Sequence, residues 1–391
     1  MIDHISIDGF KCLRDVTMTP KAINVLVGPN GSGKSSVLQS LLLLRQSVDP
    51  DLNLDSLHLS GELYEAGMPV DALHPSAGHL IEIEINTDDG FNLHGSFKYD
   101  REDVASANSR ILKADLGGTL NTDAMKGFAL FSRGDRFGYL NAERIGPRLT
   151  QGLPPGDLDG KVGKFGQFTA AILARAYHSE ERVAGWDEAT EAKFSNALVE
   201  LDGGSLVDQL QNAQGGLFRL SNIMLGWIIP GSEFEATENV DTDNAALMFT
   251  RDASGTKTKT RSTHVGFGLS YSLPIIVAAL SLSPGGLLLL ENPEAHLHPY
   301  GQSRIGAFLA LMASTGRQIF LETHSDHVVN GIRLAVKYGL ISPEDVRFFF
   351  FHDTHISGQS KVATISVDSH ATLTSWPAEF FDQIERDLAR L

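Results

Sequence analysis

Apolar and polar positions alternate at both ends of the first hundred residues. Ile2-Asp3-His4-Ile5-Ser6-Ile7 and Leu80-Ile81-Glu82-Ile83-Glu84-Ile85 have a period of two, and Phe91 to Tyr99 continues it after the turn Asp88-Asp89-Gly90. This pattern predicts half-buried strands and a β-rich first part. A loop rich in Gly and Pro runs from Gly152 to Gly166 and contains Pro154-Pro155-Gly156. The period then becomes helical over Phe168 to His178, Trp186 to Leu201, Ser205 to Ala213 and Leu217 to Ile229. Two short strands are expected near Phe234 and over Ala246 to Arg251. The last third alternates: helix Gly266 to Leu282, strand Leu287 to Glu291, helix Gln302 to Ser314, strand Gln318 to Glu322, helix Asp326 to Tyr338, strand Val346 to Phe351. A strand Val362 to Val367 and a helix Pro377 to Leu391 close the chain. Strands alternating with helices predict an α/β fold around a doubly wound, mostly parallel sheet. The antiparallel lobe and the helical block are additions to it. Three parts follow: 1–150, an N-terminal lobe; 151–230, a mainly helical insertion; and 231–391, a C-terminal lobe.

One segment carries specific chemistry. Gly28-Pro29-Asn30-Gly31-Ser32-Gly33-Lys34-Ser35 fits the phosphate-loop pattern G-x-x-x-x-G-K-[ST]. The apolar run Ile23 to Val27 precedes it, as a buried strand should, and Ser36 to Arg45 follows it with helical spacing. Glycines let successive N–H groups curl around phosphate oxygens, and the helix start adds partial positive charge. Asn30, Gly31, Ser32, Gly33, Lys34, Ser35 and Ser36 are therefore the candidate ATP contacts, with Lys34 on the terminal phosphates and Ser35 on Mg²⁺. A second signal is Leu287-Leu288-Leu289-Leu290-Glu291-Asn292-Pro293-Glu294, an apolar strand with carboxylates at its C-terminal edge. Open α/β sheets place ligands there. Glu291 is the candidate metal ligand. A third is Ile319-Phe320-Leu321-Glu322-Thr323-His324-Ser325, a strand ending in a histidine suited to sense a γ-phosphate.

These residues resemble the ABC-type ATPases of the SMC, RecF and OLD (overcoming-lysogenization-defect) group. The resemblance implies an order of phosphate loop (Gly28–Ser35), signature segment (His264–Ser270), acidic strand (Leu287–Glu294), D-loop (Ala295–His298) and switch histidine (Thr323–Ser325). It also implies that Lys11, in Ile7-Asp8-Gly9-Phe10-Lys11-Cys12-Leu13-Arg14, approaches the nucleotide, and that Gly266, Gly268 and Ser270 close over ATP held by a second protomer. The segment Tyr139 to Arg148 and the ending Ser375-Trp376-Pro377-Ala378-Glu379-Phe380-Phe381-Asp382 are similar to parts of stand-alone, defence-type bacterial ATPases; the ending resembles their C-terminal module of unknown function. Three positions depart from the group. Asn292 stands where the water-activating carboxylate is usual, and Asn has no titratable group, so Glu294 is the nearest replacement. Val265-Gly266-Phe267-Gly268-Leu269-Ser270 replaces the Leu-Ser-Gly-Gly signature, and His298 replaces the D-loop Asp. All three point toward slow hydrolysis or toward ATP used as a clamp. Glu294, His324 and Glu291 are the catalytic candidates.

Composition limits the rest. Of 391 residues, 42% are hydrophobic, enough for a sizeable core. The one cysteine, Cys12, excludes an internal disulfide and fits a reducing cytoplasm; the N-terminus lacks a signal-peptide pattern. The most apolar window, Tyr271 to Leu290, is broken by Pro274, Pro284 and Gly285-Gly286 and is read as helix, turn and strand, with no membrane involvement. A net charge of −16 opposes broad nucleic-acid binding, leaving two local basic clusters: Arg133, Arg136, Arg144, Arg148, Lys161 and Lys164; and Lys257, Lys259 and Arg261. Such clusters are commonly solvated faces. Glu294, His296 and His298 lack the helical H-E-x-x-H zinc spacing and fit a D-loop better. Ser270 and Ser325 have no nucleophile-elbow pattern, and no nuclease module is evident after Phe351.

The expected activity is an ATP-dependent, Mg²⁺-dependent, dimerising or higher-oligomeric switch that controls a separately encoded effector in anti-phage (antiviral) defence. A RecF-like DNA-repair or chromosome-maintenance clamp and a non-hydrolysing ATP-binding scaffold are the alternatives.

Overall fold

The computed structural model describes residues 1–99, 110–116, 125, 127–132, 134–156, 162–253, 256–352, 358–375, 377 and 390–391. Arg133, Lys161, Trp376 and the helix expected beyond Pro377 lie outside them. The chain forms two compact units. One comprises Met1–Ser132, Val346–Ser366 and Leu373–Leu391; the other comprises Arg133–Asp345 and Val367–Thr372.

In the first unit the alternating segments become β1 (Ile2–Asp8) and β5 (Leu80–Thr87), joined by β2 (Val16–Met18), β4 (Ser56–His58), β6 (Asn92–Lys98) and β7 (Ile111–Leu116). They form an antiparallel sheet in the order β2-β1-β5-β6-β7-β4. Register follows burial: Ile5 pairs with Ile85 and Ile7 with Ile83, all on the buried face. A separate apolar strand, β3 (Ile23–Val27), runs parallel to β15 (Val346–His352), and β16 (Lys361–Ile365) adds antiparallel to β15. The four phenylalanines from Phe348 to Phe351 are core. Helix α1 (Lys34–Ser47) follows β3 and buries Val37, Leu38 and Leu41 to Leu44, and a single turn, α2 (Pro69–Ala72), precedes β5.

The breaks expected at 150 and 230 do not coincide with the unit boundaries. β15 lies late in the chain, yet its pairing with β3 puts it in the first unit, from Val346 opposite Ile23 to Phe350 opposite Val27. Linear composition carries no trace of that return.

The second unit has a parallel set β8 (Phe137–Leu140), β13 (Leu287–Glu291) and β14 (Gln318–Glu322), with β13 central. Its helical block is α3 (Thr169–Ser179), α4 (Glu188–Asp202), α5 (Val207–Ala213) and α6 (Leu217–Ile228). α3 and α6 pack on an antiparallel sheet of β10 (Ser232–Asn239), β11 (Asn244–Ala253) and β12 (Thr256–Arg261), where β9 (Gln151–Gly152) also pairs with β11. β12 reads Thr-Lys-Thr-Lys-Thr-Arg. It has no apolar position, so hydrophobic patterning could not reveal it; pairing with β11 alone specifies it.

Helices α7 (Phe267–Ser281), α8 (Pro299–Ala313) and α9 (Asp326–Lys337) complete the second unit. α8 and α9 cross at contact distance through two glycines. A Cβ on Gly331 would lie 1.9 Å from the Ser303 carbonyl oxygen, and one on Gly306 would lie 2.3 Å from that of Val328. The obstacles are backbone atoms, which no rotamer change can move. Gly331→Ala is expected to cost about 3 kcal/mol. That is a fall of roughly 6–12 °C in the calorimetric unfolding midpoint. An unchanged midpoint would contradict the close crossing.

Candidate functional site

The first unit holds the phosphate loop. β3 ends at Val27, and the chain turns through Gly28, Gly31 and Gly33 at φ of 137°, 75° and 103° before α1 begins. Two of these glycines have no substitute. A Cβ on Gly28 would meet the Phe351 carbonyl oxygen at 2.2 Å, and one on Gly33 would meet Ser360 Oγ at 2.5 Å. Ser360 fastens the loop from outside: its Oγ donates to Ser32 O at 2.5 Å, and its N donates to Cys12 O at 2.9 Å. α1 starts without a side-chain cap. Its first-turn N–H groups are the donors an anion seeks.

Lys34 is almost wholly buried, and its Nζ donates to Gly28 O at 2.9 Å and Pro29 O at 2.8 Å. Ser32 Oγ is buried and makes no hydrogen bond among the described residues. A buried hydroxyl without a partner is costly unless something supplies one. The curled backbone, the uncapped helix start, the Lys34 ammonium and the Ser32 hydroxyl together fit a polyphosphate. Ser35 occupies the second helical position and is half-buried; Asn30 is exposed at the loop tip. Lys11 sits in a left-handed conformation (φ 53°). Its Nζ donates to Gln39 Oε1 at 2.8 Å and to the Tyr64 hydroxyl, and burial lowers its pKa. It is thereby tied to α1, the helix that carries Ser35 and Ser36.

The second unit holds the segments expected as acidic strand, signature segment, D-loop and switch histidine. Glu291 ends β13, directly in register with Glu322 at the end of β14. Both Glu291 oxygens are held: Oε1 accepts from Tyr139 Oη at 2.9 Å and Oε2 from Ala142 N at 3.3 Å. Burial raises the Glu291 pKa, Tyr139 opposes the rise, and the nearby Glu322 charge adds to it. A divalent cation would offset that repulsion, so this carboxylate pair fits a metal.

Glu294 is engaged differently. Its Oε2 accepts from Thr323 Oγ1 at 2.7 Å and its Oε1 from His324 N at 2.8 Å. The residue considered for water activation thus binds the turn that presents His324, whose Nε2 lies 3.8 Å from Glu322 Oε1. Ser325 caps α9, accepting from Val328 N at 3.2 Å, and donates to Gln302 Oε1 at 2.5 Å. Ser325→Ala is expected to lower stability by about 1–2 kcal/mol, read as an earlier denaturant midpoint; an unchanged midpoint would remove the cap from the account.

Gly266 precedes α7, and Gly268 packs on the D-loop: a Cβ there would lie 2.8 Å from His296 O. Ser270 is buried in the next turn. Phe267 is half exposed, and its ring lies 5.1 Å from that of His296, which also meets Tyr271 edge-on at 4.6 Å. His298 caps α8, accepting from Tyr300 N at 3.4 Å. Among the described residues no group of three or more His, Cys, Asp or Glu is arranged to hold a metal by itself.

Tyr139 and Glu322 received no role from sequence, and Arg144 was read only as part of a basic cluster. Glu322 carried a usable signal, since it ends an apolar strand just as Glu291 does. Tyr139 and Arg144 act through contacts with residues far along the chain, which no local pattern records. The basic clusters also change character. Arg144 is 2% exposed and belongs to no surface patch, and Lys259 is paired with Glu235 at 2.7 Å.

A phosphate loop leading into a helix, with acidic strand ends and a histidine turn on α/β units, defines a P-loop ATPase head of the ABC type. Comparison agrees: the head domain of Smc from Pyrococcus furiosus, solved with an extended coiled coil and bound to the C-terminal domain of ScpA, aligns with 100% of this chain and 98% of its own at a TM-score of 0.50 and 12% identity. The SMC head domain from Thermotoga maritima aligns at a TM-score of 0.44 and 11% identity, covering 94% of this chain and 99% of its own. The chain belongs to the family described as "AAA domain, putative AbiEii toxin, Type IV TA system", which matches residues 23–330. Residues 341–391 match a family of proteins of unknown function, DUF3696. The OLD nuclease of Thermus scotoductus is 20% identical over 344 residues, which are 83% of this chain and 59% of that protein. The chain thus spans less than two thirds of that relative's length. Among the described residues no helix is long and apolar enough to cross a membrane.

Proposed function

We propose that this ATP-binding domain works as a Mg²⁺-dependent switch: two copies close over ATP, hydrolyse it slowly, and control a separate effector in anti-phage defence. The observation that carries the nucleotide reading is the Gly28–Ser35 loop, whose left-handed glycines, buried Lys34 ammonium and unpartnered Ser32 hydroxyl suit a triphosphate. Asn30 to Ser36 and Lys11 serve the nucleotide; Ser35 and Glu291 serve the metal; His324 answers the γ-phosphate. Bound Mg²⁺ would polarise the terminal phosphate, while the chain's own groups orient it and exclude water. Closure across two copies is supported by the exposed Phe267 beside Gly266 and Gly268 at the start of α7, a helix end able to accept a phosphate from outside its own chain. The role in defence rests on the family's description and on the OLD nuclease likeness. A cytoplasmic location and any nucleic-acid contact belong to the same proposal.

Light scattering tests the switch. Glu294→Gln protein is expected to be monomeric without nucleotide and dimeric with Mg²⁺ and ATP. A monomer under both conditions would sink the dimerising switch while leaving ATP binding intact.

One observation favours a second reading, the non-hydrolysing scaffold. Both Glu294 oxygens accept hydrogen bonds from Thr323 and His324, and Asn292 cannot act as a base. Phosphate release at background level, with full ATP affinity, would select this reading over slow turnover.

A further inference from the structure

Arg144 does not belong to the phosphate loop, the acidic strand or the signature-like segment, yet it is among the largest fully buried side chains. A guanidinium out of water is costly. Burial pushes its pKa down to about 10, against the pull of Glu294, Tyr271 and Glu291, so it remains charged at neutral pH. Its Nε makes no hydrogen bond among the described residues. Fold stability alone is a poor reason for such a group, because an apolar side chain of similar volume would fill the space without the desolvation cost.

What the guanidinium does is specific. Its NH1 donates to Asn141 O at 3.0 Å and Glu291 O at 2.7 Å, and NH2 donates to Asn292 O at 2.6 Å. Asn292 takes a left-handed conformation (φ 44°), which asparagine adopts more readily than other non-glycine residues, and the guanidinium holds its carbonyl oxygen in that turn. Asn141 lies next to Ala142, the residue whose N–H orients Glu291 Oε2. The same guanidinium lies 5.3 Å from the Tyr271 ring, on the second turn of α7, and Tyr271 in turn touches His296.

We infer that Arg144 is a positioning residue: it fixes the end of β13 so that the Glu291 carboxylate is aimed at a divalent cation, and it links that carboxylate to the start of α7. The inference rests on the proposal that Glu291 binds the metal. Two consequences follow. A displacement of the first turns of α7 reaches the Glu291 backbone through one planar group. Lysine cannot replace it, because a single ammonium lacks the fork that spans three carbonyls and stacks on a ring.

The test measures binding, not turnover. Mn²⁺ affinity is read by electron paramagnetic resonance on the full chain carrying the non-hydrolysable analogue AMP-PNP, for wild type, Arg144→Lys and Glu291→Gln. AMP-PNP affinity in EDTA and the unfolding midpoint are measured on the same samples. Arg144→Lys, which keeps charge and most of the volume, is expected to weaken Mn²⁺ about tenfold, with metal-free AMP-PNP affinity unchanged. If Glu291→Gln loses Mn²⁺ but Arg144→Lys binds it as wild type does, with only its midpoint lowered, Arg144 is merely structural and the inference is overturned. If Glu291→Gln also binds Mn²⁺ normally, the metal assignment itself fails and takes the positioning role with it.

Discussion

Lys34→Ala is expected to reduce ATP affinity by roughly 100-fold or more, the equivalent of about 3 kcal/mol in charge-assisted hydrogen bonds. The buried ammonium donates to Gly28 O and Pro29 O within the loop. A phosphate oxygen is a stronger acceptor than either carbonyl, so nucleotide draws the charge to itself. Alanine removes the charge and leaves the curled backbone, whose N–H groups retain a weak hold. The substitution should disturb folding little: the carbonyls of Gly28 and Pro29 lose a donor, but the cost of burying an ammonium disappears as well. Titration with a fluorescent ATP analogue, beside a thermal melt of the same samples, separates the two effects. Wild-type affinity in a folded Lys34→Ala protein would end the nucleotide reading.

Glu291→Gln should have the second largest effect, with opposite signs on activity and stability. Loss of the carboxylate charge is expected to slow any ATP hydrolysis on the order of 100-fold, since a metal ligand contributes several kcal/mol of charge stabilisation. Gln is isosteric and can still accept from Tyr139 Oη or Ala142 N, so the local frame persists. Because burial and Glu322 raise the Glu291 pKa, its ionised form is disfavoured in the fold. The wild type therefore loses stability as pH rises from the ordinary carboxylate value through the raised one, while Gln does not titrate. The midpoint advantage of Glu291→Gln over wild type, measured without divalent ions, should grow across that window and then level off. A variant that is less stable at every pH and hydrolyses ATP at the wild-type rate would contradict both assignments.

The two substitutions separate nucleotide affinity from metal affinity. Lys34→Ala should weaken binding with or without metal, whereas Glu291→Gln should spare metal-free nucleotide affinity. Turnover that persists at the wild-type rate in both would place the chemistry outside the residues assigned to it.

The sequence by itself determined the phosphate loop, the acidic strand and the histidine turn. Each is a contiguous run in which a strand's apolar period stops at a polar group, and local spacing is enough to express that. It also placed α1, α7, α8 and α9 to within a few residues, because their apolar positions recur at the helical period over three turns or more. Short or polar strands such as β4 and β12 escaped, since three residues or an unbroken Thr-Lys alternation hold no hydrophobic signal. Tertiary structure alone decided the rest. It returned Val346–His352 to Ile23–Val27, engaged both Glu294 oxygens with Thr323 and His324, and buried Arg144 against the carbonyls of Glu291 and Asn292. Those partners are far apart in the chain. Their pairing is selected by which backbone groups and charges remain unsatisfied once the strands have packed, a quantity that no window along the sequence contains.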